Sequence, residues 1–257
     1  MKAQPITVYL PDTRSVDVSR YGMGNDKIGF GVFTYSRTPG DPAKRDTESD
    51  MPRGYYGTCP GSTTECEAIC YAKRIKGDVA LVHRRNSVRS DVPPIPGNCR
   101  ILRIHVSGDF DSVEYIENWI VQLILRPDVT CWAYTRSWRV PALLPTLEKL
   151  RALPNVQLFA SMDASHEDLP PTGWRRAWID GDVRQNGQQG GDGSGSPWIV
   201  MDGSKSLKQT DHNRVCWDTT PSLVCPEETG RKANCLACGY CFEGKKNDVT
   251  FLRHDGK

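Results

Sequence analysis

Seven cysteines stand in two groups whose spacing suits metal–thiolate chemistry. Near the C-terminus Cys225 precedes Pro226, and Cys235, Cys238 and Cys241 follow with two residues between each pair. Thiolates spaced in this way fold round one iron–sulfur cubane, with a remote Cys-Pro supplying the fourth ligand. Zinc is the alternative: it takes four tetrahedral thiolates, usually from two separated C-x2-C pairs rather than three cysteines in one continuous turn. The spacing therefore favours a [4Fe–4S] cluster over Zn.

Cys59, Cys66 and Cys70 form the second group, in the stretch CPGSTTECEAICYA. Three thiolates leave one iron of a cubane without a protein ligand. An open iron can chelate the amino and carboxylate groups of S-adenosylmethionine, whose reductive cleavage gives a 5′-deoxyadenosyl radical; the protein's part is position and electrostatics. A closed structural site is the alternative, with Cys99, Cys131 or Cys216 as its fourth ligand.

These groups need a scaffold, and the middle of the chain supplies one. Ile101–Val106 reads as a strand followed by SGDF, and Asp111 with Glu114 makes a capping-box-like helix start. Tyr115, Ile116, Trp119, Ile120, Leu123 and Ile124 then recur at helical spacing until Arg126-Pro127 ends the run. A second round follows: strand Thr130–Thr135, loop Arg136–Arg139, and a helix opened by Pro141 with Leu143, Leu144, Leu147 and Leu150 on one face. Val156–Ser161 is a third strand. Earlier, Ile28–Tyr35 reads as a buried strand interrupted by Gly29 and Gly31, and 38–57 as irregular; later strands fit Trp174–Ile179 and Pro197–Met201, flanking a Gly-rich loop, Gly181–Ser196. Strands alternating with helices make βαβ units and hence a parallel sheet.

Chemistry in parallel sheets gathers at the carboxyl ends of the strands. Here the three ends carry Ser107-Gly108-Asp109, Thr135-Arg136-Ser137 and Ser161-Met162-Asp163. Any one could simply cap the next helix. Three in a row at equivalent positions point to one pocket.

Composition sets the bounds. In 257 residues, 38% are hydrophobic and 25% charged, and 33 Lys+Arg against 31 Asp+Glu leave a net charge of +2. That describes a globular chain able to bury a core without disulfides. No run approaches the roughly 18–20 apolar residues of a membrane span, and Met1–Leu10 lacks an apolar secretory core, so a cytoplasmic location is expected. Ten cysteines in a reducing compartment more often hold metal than form disulfides. The one basic concentration is Lys73, Arg74, Lys76, Arg84, Arg85 and Arg89, opposed only by Asp78, on a stretch where Ala68, Ala72, Ile75, Val79 and Val82 recur at helical spacing. Such a helix is either a solvated face or a contact for nucleic acid. The Trp residues read as core, and His105 as a satisfied core residue within its strand. No Ser-His-Asp order, Walker loop or GxGxxG is present, so hydrolase, NTPase and dinucleotide readings have no support.

Cys66-x3-Cys70-Tyr71-Ala72 together with SGDF and YTRS resembles the phage family called gene product 88. More distantly, the order of parts over 29–161 is similar to the radical SAM superfamily: an early strand, a three-Cys loop, a helix, then a strand ending in a Gly-acid motif. That resemblance implies an incomplete parallel (β/α) barrel, with Ile28–Tyr35 as first strand and Ser107, Gly108 and Asp109 at the position that binds the methionine amino group. The spacing here is C-x6-C-x3-C, with Lys73 where the superfamily's usual C-x3-C-x2-C would place its third cysteine.

The combined expectation is an α/β chain with a partial barrel over 1–215 and a Cys-rich segment over 216–257. Cys59, Cys66 and Cys70 would bind one [4Fe–4S] cluster and Cys225, Cys235, Cys238 and Cys241 an auxiliary one. Asp109 and Arg136 are the catalytic candidates; Ser107, Gly108, Asp109, Thr135, Ser161 and Asp163 are the cofactor-binding ones. The alternative is a non-catalytic, metal-stabilised nucleic-acid-binding protein of a phage or mobile element, contacting its partner through 73–89 and no membrane.

Overall fold

Alternating apolar side chains at Leu102 and Ile104, at Cys131 and Ala133, and at Val156, Leu158, Ala160 and Met162 are all buried in one cluster, as the period of two demands of strands that share a covered face. A computed structural model describes residues 18–44, 57–163, 168–180, 222–244 and 247–252. Its strands are β1 (Gly22–Met23), β2 (Phe33–Tyr35), β3 (Ile101–Ile104), β4 (Thr130–Thr135), β5 (Val156–Met162), β6 (Arg175–Asp180), β7 (Ser222–Val224) and β8 (Asp248–Leu252). They form one sheet in the order β1-β2-β3-β4-β5-β6-β8-β7, parallel at every pairing except β1 with β2. Among the described residues no pairing joins β1 to β7. The fold is therefore mixed α/β on an eight-stranded, mostly parallel sheet.

One face of the sheet is covered by helices. α3 (Val113–Leu125) buries Tyr115, Ile116, Trp119 and Leu123 and leaves Ile124 exposed, which trims the expected apolar face by one side. Its N-cap is Ser112, whose hydroxyl accepts from Tyr115 N–H; Asp111 is drawn instead into an ion pair with Arg37. α4 (Leu144–Arg151) adds Leu147 and Leu150, with Leu143 just before it. The opposite face carries Trp132 and Tyr134 of β4, Phe159 of β5, Ala177 of β6 and Val249 of β8. Against these side chains pack Cys225, Cys235, Tyr240, Cys241 and Phe242. The Cys-rich segment thus lies on the sheet, and its own β7 and β8 belong to it; Arg176 clamps β8 by a buried ion pair with Asp248, 2.7 Å.

Three expectations change at their edges. Ile28–Tyr35 contributes only its last three residues as strand, because Gly29 at φ +100 and the Asn25 side chain, which accepts from Ile28 N–H, turn the chain first. β3 stops at Ile104, since His105 takes a left-handed φ of +62. His105 is buried just beyond the strand, its Nε2 2.9 Å from Tyr115 Oη, and its Nδ1 has no partner. The basic stretch is three pieces: α1 (Thr64–Ala68), a 3-10 turn (Tyr71–Arg74) and α2 (Gly77–Ser87), with Gly77 at φ +67 between the last two. α2 does not bury the expected apolar stripe. It docks through His83, Asn86 and Ser87, Asn86 donating to the carbonyls of Arg20 and Ser36, while Val79 and Leu81 stay exposed. The strand read at Pro197–Met201, the loop Gly181–Ser196, and Cys216 lie outside the described residues. No helix among the described residues is long and apolar enough to cross a membrane.

Candidate functional site

The loop after β2 returns over the carboxyl ends of β3, β4 and β5, and a chain of short hydrogen bonds holds it there. Thr63 caps α1 by accepting from Cys66 N–H, 3.0 Å, and donates its hydroxyl to Asp163 Oδ2, 2.6 Å, at the end of β5. The same carboxylate pairs with Arg136 Nη1 at 2.6 Å, with both side chains buried. Arg136 N–H in turn donates to Asp109 Oδ2 at 2.7 Å, and Thr135 Oγ1 to Asp109 Oδ1 at 2.6 Å. The three strand ends and the thiol loop are thereby tied into one unit. Contact is close enough to exclude side chains: a Cβ at Gly61 would run into the Arg136 carbonyl, and one at Gly108, where φ is +80, into Arg37 and Thr58.

This places Cys59 near Asp109, and Cys66 near Arg136, Asp163 and Asp109, with Cys70 neighbouring both thiols. Burial pushes the Cys59 thiol well above its ordinary value, and Asp109, Cys66 and Cys70 add to the rise. Burial also raises Cys66, opposed by Arg136 and reinforced by Cys70 and both carboxylates. Ser107, Gly108 and Thr135 belong to the same unit but are engaged internally: Ser107 Oγ donates to Arg37 O, 2.8 Å, and Thr135 to Asp109. Ser161 enters only through its carbonyl, 3.5 Å from Trp138 Nε1. Thr58 and Thr63, which hold Asp109 N–H and Asp163, carry no motif of their own; Thr63, just before TECEA, is legible as an N-cap once the helix is known.

Asp109 is itself a pH-sensitive part. Burial raises its carboxyl from 3.8 to about 6, against the lowering effect of hydrogen bonds from Thr135, Arg136 N–H and Phe110 N–H. A carboxyl raised in the folded state contributes stability that is full below its unfolded value and is lost as pH rises through the folded one. The metal-free chain is therefore expected to lose up to about 3 kcal/mol between pH of about 4 and about 7. Asp109→Asn, which cannot ionise, removes that step; urea unfolding across this pH range measures it, and the same slope in both proteins would contradict the assignment.

Cys225, Cys235 and Cys241 pack on the opposite face of the sheet, and Cys238 ends the turn that Cys235 begins. Cys225 follows β7 and is fixed by its N–H to Thr250 O, 2.8 Å. α5 (Cys235–Cys238) opens on Asn234, whose side chain accepts from Ala237 N–H, and closes on Gly239 at φ +70. Cys235 and Leu236 N–H reach the carbonyls of Lys27 and Ile28, which anchors the turn. Burial pushes the Cys225 thiol up to about 12, with Cys241 among the groups that raise it, and Cys241 to about 11, with Cys235 raising it further. As placed, no three His, Cys, Asp or Glu side chains among the described residues converge tightly enough to hold one metal ion. A single tetrahedral zinc would need its thiolates within about 4 Å of one another. A cubane interposes its own edge between any two thiolates and so accepts a wider set. The donor chemistry fits it: buried neighbouring thiols raise one another's pKa, and a metal relieves that by taking them as thiolates. Cys99 and Cys131, offered above as possible fourth ligands, stand apart on the helix side, where burial raises both and Cys131 is fully buried.

An α/β protein with a parallel sheet, one thiol loop closed over its carboxyl edge and a second thiol segment laid across its face is the class these contacts define. The chain belongs to the gene product 88 family, whose family model matches residues 94–244, more than half of its length. That span contains Asp109, Arg136, Asp163 and the C-terminal four cysteines, and begins after Cys59, Cys66 and Cys70. Two similar proteins are the Gene 88 protein of Mycobacterium phage L5, 27% identical, and that of Mycobacterium phage D29, 23% identical, each over 224 residues that cover 77% of this chain and 83% of the relative. No solved structure matches. None of these comparisons supports the more distant likeness to radical SAM enzymes.

Proposed function

We propose that the chain is a cytoplasmic iron–sulfur protein in which Cys225, Cys235, Cys238 and Cys241 hold one [4Fe–4S] cluster and Cys59, Cys66 and Cys70 a second, open one that takes S-adenosylmethionine. The observation that carries it is the clasp Thr63–Asp163–Arg136–Asp109, which pins a three-thiol loop over the ends of three parallel strands. Parallel strands in sequential order from β2 to β6, with helices on one face, also suit an incomplete (β/α) barrel. When bound, the open cluster would supply the electron that cleaves the sulfonium. The chain's own residues hold the thiol loop, exclude water beneath it, and keep Asp109 able to take or give a proton near pH 6. Arg136 offers a fixed cation to an anionic group.

Protein purified anaerobically is expected to be brown and to hold about eight irons per chain, as two cubanes require. S-adenosylmethionine should change the spectrum of the reduced protein, and dithionite should release 5′-deoxyadenosine. Colourless protein with stoichiometric zinc would overturn the cluster assignment; a fourth protein ligand at the first centre would overturn the catalytic one alone.

A second reading rests on the surface of 71–89. Lys73, Arg74, Lys76, Arg85 and Arg89 are exposed there together with Tyr71, Val79 and Leu81. Cations interleaved with exposed apolar and aromatic groups suit a nucleic acid, with the metal centres structural. That reading predicts an affinity that falls with salt and falls again when Arg84, Arg85 and Arg89 are neutralised together.

A further inference from the structure

Two arginines stand on the face of the sheet that the Cys-rich segment covers, and no described carboxylate is paired with either. Arg103, on β3, places its guanidinium carbon 5.3 Å from the ring centre of Tyr134, and its buried Nε has no hydrogen-bond partner. Tyr134, Cys235 and Cys241 all pack against one cluster of Ile28, Val32, Trp132 and Phe242, so the cation lies on the wall that the thiol turn covers. Burial opposes the charge of Arg103, and Tyr71, which follows Cys70, then Tyr134, Cys235 and Cys241 favour it. Arg175, on β6, lies 4.1 Å from the Phe159 ring centre and 5.4 Å from that of Tyr240, and donates only to neutral acceptors: Asn247 O, Gln157 Oε1 and Tyr240 O. Elsewhere the buried arginines are matched: Arg20 with Asp91, Arg37 with Asp111, Arg136 with Asp163 and Arg176 with Asp248. Arg175 is buried and Arg103 half-buried with its Nε enclosed, and a cation withdrawn from water without a counter-charge is costly.

We infer that Arg103, seconded by Arg175, is the internal counter-charge of an anionic metal–thiolate centre formed by Cys225, Cys235, Cys238 and Cys241, and that it sets that centre's hold on metal and its reduction potential. The inference rests on the proposed C-terminal centre. A cubane held by four thiolates is anionic in both its oxidised and its reduced form, so a fixed cation beside it serves both. Reduction of a cubane adds a further negative charge, and a guanidinium in a low-dielectric wall stabilises the reduced form more than the oxidised one. Position makes Arg103 a positioning and tuning residue, since its neighbours are the thiols' own turn and Tyr134.

The test uses the full chain reconstituted anaerobically with iron and sulfide, in wild-type, Arg103→Met, Arg103→Lys, Arg175→Met and Cys238→Ser forms. Cys238→Ser marks which part of the iron and of the reduced spectrum belongs to the C-terminal centre. Arg103→Met is expected to shift that centre's midpoint potential to more negative values and to speed its loss to a chelator at least tenfold, with Arg103→Lys restoring most of both. Should Arg103→Met be insoluble, Arg175→Met and Arg103→Lys carry the comparison, with a smaller shift in the same direction expected. A centre that Cys238→Ser abolishes but whose potential and metal retention are unchanged in the arginine variants would overturn this inference and leave the centre standing. Unchanged iron in Cys238→Ser would overturn the centre and the inference together.

Discussion

Asp163→Ala is expected to lower stability by about 3–5 kcal/mol, the range for removing one partner of a buried ion pair. The carboxylate is wholly enclosed and receives both the Arg136 guanidinium and the Thr63 hydroxyl, each at 2.6 Å. Its removal takes away the described counter-charge of a cation that is only 5% exposed. It also frees Thr63, the cap of α1, and so loosens the loop that carries Cys59, Cys66 and Cys70. The variant should therefore lose metal from the first centre while keeping the C-terminal one, a split that general unfolding would not give. Replacing both partners, Arg136→Met with Asp163→Leu, should recover much of the stability and none of the first centre's metal, because an apolar pair removes the stranded charge without rebuilding the clasp. Urea unfolding with iron counts on the two variants and the wild type measures this. A loss below about 1 kcal/mol for Asp163→Ala would show that the loop is held by other contacts.

What could be read in advance was local. β4 and α3 carry their own punctuation: Thr130–Thr135 alternates between the two faces, and α3 runs at helical spacing to the Arg126-Pro127 stop. The polar strand ends were legible for the same reason, since βαβ order alone brings Asp109, Arg136 and Asp163 to one edge. The internal bonding of that edge was not, because Thr63 lies 100 residues from Asp163 in the chain. α2 misled the reading, since it is seated by Asn86 and Ser87 on backbone groups 50 and 49 residues away rather than by an apolar stripe. The position of β8 between β6 and β7 could not be read from spacing either, since a strand that enters out of sequence leaves no periodic mark. With it went the finding that the C-terminal cysteines face Trp132 and Tyr134. Arg103 had a signal that went unused: one charge in the strand ILRI, on the face opposite Leu102 and Ile104, has to meet something.

Serine at 235, 238 or 241 is expected to remove the whole C-terminal complement of metal in each case, and with it much of the solubility. Between β7 and β8 the turn that carries these cysteines has few anchors of its own. α5 is a single turn, and its backbone anchors are the bonds from Cys235 and Leu236 to Lys27 and Ile28. Yet it covers Trp132, Phe159 and Val249, which would otherwise face water. A metal that joins Cys225, after β7, to the turn before β8 closes that cover over the sheet, and in small thiolate domains such binding supplies on the order of 10 kcal/mol of folding free energy. Serine keeps the shape but is a far poorer ligand. Losing one of four should open the site, expose the aromatic face and lower the unfolding midpoint. Cys131→Ala is the matched control: its thiol is buried on the helix face, away from both groups, so it should keep full metal content and change stability by only about 1 kcal/mol. Iron or zinc per chain and urea unfolding on the four variants decide the matter, and full metal content in all three serine variants would refute the C-terminal centre.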